Sequence, residues 1–448
     1  MIDNKKLITY MKSEYEQNKQ RYEHMRRYYD GKHDIYKTYY KRKGTQDRAT
    51  HINWVSKFIG EEIAYALNKP VSYISDSGNG EFEKMIKKQF EHFDLNHDQK
   101  LMRELEIYGK AYCLYYLKTY VDDFGEKHTQ FCEKILNPTN AIAYCDEEGA
   151  VIRFIYFYKK KYDENRYYNV YYPDGLVEIY CNDVLIKTEK HYFKRVPAHV
   201  LQIEESETIY SKIKELNDDY NELVSNQQSL ISEYKNAYLT VCMDKQNLSP
   251  DSQPVKDFIK AIRDDNAGII FYPNPQAKPS WLIKQINDTA IKNQMDELKE
   301  NLYAQSGHID FNEKLSSNLS GVALQSRLTG LDQRVNMMIN PVKNALYSRV
   351  YFLCAYLATL NKVFDPSDIK IEANIDIPTD TAARINEVVQ AGDIISHRTK
   401  LERLPFVENP ALEMQRIKEE IKEKAMYEKK ISLDVVNQAY AGAGNLNE

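Results

Sequence analysis

The sequence predicts a helix-rich α+β fold, and three observations carry that prediction. Between residues 206 and 360 apolar side chains recur at helical spacing in three long runs. Between 111 and 205 the pattern changes to strands separated by turn residues. Finally, Ile369, Ile371, Ala373, Ile375 and Ile377 alternate with Lys370, Glu372, Asn374 and Asp376, as in one half-buried strand.

Residues 1–30 read as an amphipathic helix that ends at Asp30-Gly31. Further helices are predicted over 53–67, stopping before Lys69-Pro70, over 81–93 and over 99–108. Residues 166–172, 176–181 and 184–187 are separated by the turns Pro173-Asp174-Gly175 and Asn182-Asp183, which makes an antiparallel meander. The run 151–158, apolar almost throughout, is its expected buried neighbour.

The first long run places Ile209, Ile213, Leu216, Tyr220, Leu223, Leu230 and Tyr234 on one stripe, with Gln227 as its polar exception. About thirty residues at a rise of ~1.5 Å make a rod of ~45 Å. A second helix is predicted over 286–305, closed by Gly307, where a left-handed C-cap is cheap. The polar loop 308–319, HIDFNEKLSSNL, follows, and a third helix opens at Ser320 with SGVALQSRLTGLDQRV. Asn318 or Ser320 reads as its N-cap. Pro341 interrupts that helix and, lacking an N–H, is expected to kink it.

Between the first two rods lies an insert with a short helical stretch over 255–263 and strand-like runs over 268–272 and 280–284. Pro273-Asn274-Pro275 links the two runs stiffly. Residues 369–377 are expected to close back on the sheet of the first domain. Residues 379–430 read as helical again, Asn409 capping a helix with Pro410 at its first position. The small, polar end 431–448 is expected to be a disordered tip.

With 448 residues the chain can hold two or three ordinary domains. A formal charge of −5 argues against a protein that coats nucleic acid through general basicity. The charge is uneven: residues 1–50 hold 13 Lys and Arg against 7 Asp and Glu, or +6, leaving −11 elsewhere. A solvated helical face explains that excess, and a contact with an acidic shell protein or DNA is the alternative. No apolar run approaches the ~20 residues of a membrane span, and no signal-peptide pattern opens the chain. The six cysteines lack CxxC spacing and read as buried thiols. The 36 tyrosines suit half-buried strands and wet subunit interfaces.

Catalytic and cofactor chemistry finds little support. SDSGNGEFEKM at 75–85 is glycine-rich, yet no GxxxxGK[ST] occurs anywhere, so it reads as a loop and the chain is not itself a motor ATPase. His92 and His97 flank a helix end without ligand spacing and read as capping or surface residues. The pairs Asp218-Asp219 and Asp264-Asp265 lack a second carboxylate cluster and read as solvated. Ser320-Gly321 lacks the context of a nucleophilic serine. No catalytic residue, metal site or cofactor is assigned.

KELNDDYNELVSNQQSLISEYKNAYL at 214–239, paired with SSNLSGVALQSRLTGLDQRV at 316–335, resembles the portal proteins of long-tailed bacteriophages. YYDGKHDI at 28–35, NKPVSYI at 68–74, YGKAYCLYY at 108–116 and TKLERLPFVENPALEMQRIKEE at 399–420 agree in order and rough spacing. The resemblance implies an architecture of wing (1–205), first stem helix (206–239), small α/β clip (240–285) and second stem helix (286–307). A tunnel loop (308–319), a kinked helix with a strand returning to the wing (320–378) and a helical crown with a flexible tail (379–448) complete it. It further implies a non-enzymatic ring, a dodecamer, at one capsid vertex of the virion, made in the bacterial host cytoplasm. Its partners would be the major capsid protein, the packaging terminase, a head–tail adaptor and the double-stranded DNA in its channel, with no membrane.

By the same resemblance the loop residues His308, Asp310, Asn312, Glu313, Lys314, Ser316, Ser317 and Asn318 face that channel. Gly307 and Ser320 cap the loop. Asp310 and Glu313 against Lys314 leave it net acidic, so that it repels phosphate instead of gripping it. Two other classes remain open at this point: a metal-dependent nucleic-acid-processing enzyme, and a coiled-coil scaffold suggested by the stripe at 209–234. The first requires clustered carboxylates; the second requires a longer heptad.

Overall fold

A computed structural model of the chain describes residues 4–40, 47–234, 238–242, 268–272, 280–282, 288–310, 321–373, 381–404 and 413–427, with 256, 260, 406–407 and 410 beside them. The N-terminal block contains α1 (Asn4–Tyr29), α2 (Ile35–Thr38), α3 (Trp54–Leu67), β1 (Ser72–Ser75), α4 (Gly80–Phe90) and α5 (His97–Tyr108). Two starts are fixed by asparagine caps: Asn53 accepts from the Ser56 N–H at 3.0 Å and Asn79 from the Phe82 N–H at 3.1 Å. The glycine-rich stretch before α4 is thus a turn, and Asp368 pins it by accepting from the Ser75 and Ser77 hydroxyls. α5 ends on Gly109 in the left-handed region at φ +70°. A Cβ there would stand 3.0 Å from the Thr208 methyl, so the chain can reverse tightly into the sheet only with glycine.

Strands β2 (Lys110–Val121) and β3 (Lys127–Leu136) form a long hairpin. Strands β4 (Ala141–Cys145), β5 (Val151–Tyr158), β6 (Tyr167–Tyr171), β7 (Leu176–Cys181) and β8 (Val184–Lys190) follow as a five-stranded antiparallel meander in chain order. Asn182 and Asp183, at φ +46° and +67°, make the two-residue turn between β7 and β8 that the sequence predicts. Strand β9 (Ala198–Gln202) pairs with the free edge of β2. α1 lays Leu7, Met11 and Tyr15, spaced by four, onto Ile142, Ile155 and Val170 of the meander.

A 3₁₀ turn, Glu205–Glu207, leads into α6 (Ile209–Tyr234), which packs against α7 (Asp288–Ser306). Between them lie β10 (Tyr238–Cys242), β11 (Gly268–Tyr272) and β12 (Ser280–Leu282), with β10 central, parallel to β11 and antiparallel to β12. The chain continues through α8 (Gly321–Thr359), β13 (Ile369–Glu372), α9 (Thr381–Gln390), α10 (His397–Arg403) and a helix over 413–427.

Several expectations need correction. The first rod does not run to 239: it is α-helical to Tyr234, and Tyr-Leu-Thr-Val-Cys at 238–242 is a strand, as its β-branched and aromatic residues favour. The insert's sheet therefore begins two residues ahead of the expected boundary at 240. β13 does return to the first domain, but to β1 and not to the meander: the two pair antiparallel, Ile371 opposite Tyr73, as a separate two-stranded ribbon. α8 is helical without interruption through Pro341. His97 is no surface residue: its Nε2 lies 2.8 Å from the buried Glu133 carboxylate. Of the expected helix over 255–263 only Lys256 and Lys260 are described, both helical; the Asn409 cap, the strand beyond 373, Asp264-Asp265 and the tail 431–448 lie outside the described residues, as does Ser320.

α8 is the apolar spine of the largest core: Val335, Met338, Ile339, Val342, Leu346, Val350 and Leu353 are all buried. Embedded in that spine is Arg349, 2% exposed, whose Nε donates to Glu133 Oε2 at 2.8 Å. Its Nη2 donates to Asp98 at 2.8 Å and its Nη1 to the Tyr73 hydroxyl at 3.1 Å. One guanidinium thus ties α8 to β3, α5 and β1. Burial alone would push the Glu133 pKa up; Arg349 and then His97 overcome it and bring it down to about 2. Replacing Arg349 by Met would strand Glu133 without its cation, and we expect a loss of about 3–5 kcal/mol. Chemical unfolding checks this, and a change below about 1 kcal/mol would show the pair to be solvated.

Candidate functional site at the root of the 307–320 loop

α7 ends in a Schellman arrangement. Gly307 is left-handed at φ +74°, and the His308 N–H donates to the Tyr303 carbonyl at 3.2 Å. Gly330 of α8 packs directly on this turn: a Cβ there would lie 3.2 Å from the Gly307 carbonyl oxygen. Two glycines so bring the helix entering the loop and the helix leaving it into backbone contact.

Next along the chain, His308 turns inward. Its ring stacks on Phe58 at 4.4 Å between centroids. Nδ1 lies 3.1 Å from the Ser306 carbonyl and Nε2 3.1 Å from that of Phe58. Burial lowers its pKa, against the pull of Glu62, whose Oε1 is 3.6 Å from Nε2. Asp310 is anchored as well: it pairs with Lys299 and accepts from the Tyr303 hydroxyl at 3.3 Å. Lys57 donates to that same hydroxyl at 3.0 Å and lies over the rings of Phe58 and Tyr303 at 4.9 and 4.8 Å.

His308 is buried and Asp310 is held by Lys299 within the chain. They are the plug and the clasp that hold the loop's first residues to α3 and α7. Asn312, Glu313, Lys314, Ser316, Ser317 and Asn318 lie outside the described residues. Lys299 pairs with Asp310, and the stretch 311–319 beyond it holds one acid, Glu313, and one base, Lys314.

Behind His308 sits an ionic cluster that periodicity did not reveal. Arg334 of α8 donates from Nε to Glu62 of α3 at 2.9 Å and from Nη1 to the Glu207 carbonyl. Its Nη2 stands 3.6 Å from Glu106 of α5. Glu62 and Glu106 are both fully buried, and Glu106 has its pKa raised well above the usual carboxylate range by burial and then by the charge of Glu62.

Along α6 the buried face also departs from expectation. Leu216 and Leu223 are only half-buried, whereas Asn217, Asn221, Ser225 and Ser229, spaced by four, are buried. The first three bind the extended segment 50–53, while Ser229 pairs with the Tyr39 hydroxyl at 3.1 Å. Asn217 Nδ2 donates to the Ile52 carbonyl at 2.9 Å, Asn221 Oδ1 accepts from the Ile52 N–H at 2.7 Å, and Ser225 accepts from the Thr50 N–H at 2.9 Å. Asn221 Nδ2 also donates to His33 Nδ1 at 3.0 Å, leaving Nε2 to donate to the Tyr28 carbonyl at 3.1 Å. Asp218 is spoken for: the Tyr28 hydroxyl reaches both its oxygens at 2.9 Å and Lys214 lies at 3.0 Å. Among the described residues, no group of three or more His, Cys, Asp or Glu is placed to hold a metal ion.

The family model for the phage portal protein, SPP1 Gp6-like, matches residues 8–427. The chain belongs to this phage portal protein family. A curated relative, the portal protein of Bacillus phage SPP1, is 24% identical over 449 aligned positions, which cover 89% of this chain and 83% of the relative. The loop root and the polar seam on α6 both lie within the matched residues. Among the described residues of this portal chain, no helix is long and apolar enough to cross a membrane.

Asn221→Ala would leave the Ile52 N–H and His33 Nδ1 without partners, at about 1–3 kcal/mol. Hydrogen exchange should then show the Ile52 amide losing protection while the meander amides keep theirs. Unchanged exchange at Ile52 would mean that the seam does not hold the segment.

Proposed function

We propose that this portal chain builds the ring at one vertex of a phage capsid, the passage for viral DNA during packaging and ejection. The observation that carries the reading is the family match across residues 8–427. The ring is a virion component and structural in kind. A heterologous interface that closes by rotation produces it, and in our reading twelve copies close it.

The finer assignments follow the order of elements. Residues 1–205 with the β1–β13 ribbon are the wing, α6 and α7 the stem, and β10–β12 the core of the clip. α9, α10 and the 413–427 helix belong to the crown. The clip and stem meet the terminase and later the adaptor; the wing and crown meet the major capsid protein. Pro341 lacks the N–H that would meet the Met337 carbonyl, and α8 bends there.

The channel-facing part of the loop is 311–319. Its formal neutrality suits a conduit, since Lys or Arg contacts would add salt-dependent adhesion to the phosphates. Anchorage by His308 and Asp310 supports this, because a segment that touches moving DNA needs a fixed root.

Purified protein should form closed rings with an axial hole, of mass far above the 52.6 kDa protomer. A monodisperse monomer or dimer on a negative-stain grid would contradict the assembly. Deleting 311–319 should spare the rings and shorten the DNA packaged per particle, and Glu313→Lys should do the same through phosphate adhesion. Asp310→Ser should instead cost about 1 kcal/mol of stability, because its charge is committed to Lys299. Full-length packaging by both loop variants would make 311–319 an inert connection.

A further inference from the structure

The cluster behind His308 does not balance its charges as an ordinary ion pair does. It contains two fully buried carboxylates, Glu62 and Glu106, and a single guanidinium, Arg334. Arg334 engages Glu62 at 2.9 Å but stands off Glu106 at 3.6 Å, beyond a hydrogen bond. Neither Glu106 oxygen meets an N–H or O–H donor among the described residues, and neither does Glu62 Oε2. Neighbouring buried carboxyl groups with orphaned oxygens are satisfied when one of them keeps its proton and donates it to the other.

We propose that Glu62 and Glu106 share one proton in the folded chain, and that this proton fixes the root of the loop by letting α3, α5 and α8 close around Arg334. With it, two carboxyl groups and one guanidinium sum to zero. Without it, an uncompensated negative charge sits in the core.

Every charged group facing the pair supports that count. Glu61 of α3 pairs with Lys57 at 2.7 Å, and Glu207 in the turn before α6, 3.6 Å from Arg334, pairs with Lys212 at 2.6 Å; each brings its own cation and leaves the count unchanged. Arg26 of α1 lies against Glu104 on α5 instead. Among the described residues, His308 at the end of α7 is the histidine that stands beside the pair. Carbonyls face both its nitrogens, so as a neutral ring it donates to only one of them. Burial resists charging it. The proton therefore rests on the carboxyl pair, and His308 is a positioning residue that reports its loss.

The sign is unambiguous. Glu106 is raised above its ordinary 4.5, so the folded chain binds more protons than the unfolded chain above that pH. Its contribution to stability is full below 4.5 and is lost as pH rises through the raised value. Alkali should thus loosen α3 from α5 and release the turn that holds His308.

The experiment uses assembled rings of the full chain, with hydrogen exchange of amides 306–310 and thermal unfolding followed from about pH 5 to about pH 9.5. Glu106→Gln keeps the shape and gives Glu62 a permanent N–H donor. In the wild type, protection at 306–310, corrected for intrinsic exchange, should fall at least about tenfold across that range. In Glu106→Gln it should stay flat, with a higher unfolding midpoint at the alkaline end. A variant curve parallel to the wild type would overturn the proposal.

Should Glu106→Gln not assemble, infrared spectroscopy of the wild type decides. A protonated carboxyl stretch, shifted by deuterium, should be present at neutral pH and absent from rings of Glu62→Gln. Its absence from the wild type would equally overturn the shared proton.

Discussion

Two buried arginines on one helix organise this molecule. α8 presents an apolar face to nearly every other element of the large core, and an apolar helix alone can slide or rotate among similar partners at little cost. Arg334 and Arg349 remove that freedom. Arg349 must find Glu133, Asp98 and Tyr73 together, and Arg334 must find Glu62 and the Glu207 carbonyl. Fifteen residues apart, they set α8 at two levels about 22 Å from each other. A guanidinium left without its carboxylates in the core costs several kcal/mol, so the register is held more by what misplacement would cost than by what the pairs contribute.

That register matters because the loop leaves from one of these levels. Gly330, one helical turn before Arg334, touches the turn at Gly307, and His308 fills the space between Phe58 and Glu62. Helices α3, α7 and α8 therefore meet at the point from which the loop departs. In a ring, an error of position at this junction would repeat in every subunit.

How much of this was legible in the sequence follows from the range of each interaction. α1, α3 and the meander are local: apolar spacing, an asparagine cap and the turns at Gly175 and Asn182-Asp183 declare them within a few residues. Gly307 is legible for the same reason. The buried arginines are not, because Arg334 meets Glu62 across 272 residues and Arg349 meets Glu133 across 216. In sequence each is one more charge on an amphipathic helix. The polar seam of α6 hides differently: Asn217, Asn221, Ser225 and Ser229 lie off its apolar stripe, and only the segment 50–53 and Tyr39 bonded to them make them interior. His308 and Asp310 were placed in the loop because they are polar and follow a helix end. Aromatic neighbours on α3, and Lys299 on α7, draw them in.

The most direct measurement is an electron cryomicroscopy map of the assembled ring at side-chain resolution. The account predicts, in every subunit, Arg334 against Glu62, the His308 ring on Phe58, Asp310 on Lys299, and density for 311–319 pointing to the axis. A map with Arg334 turned to a neighbouring subunit, or with His308 lining the channel, would contradict the claim that buried pairs within one subunit fix the loop's root.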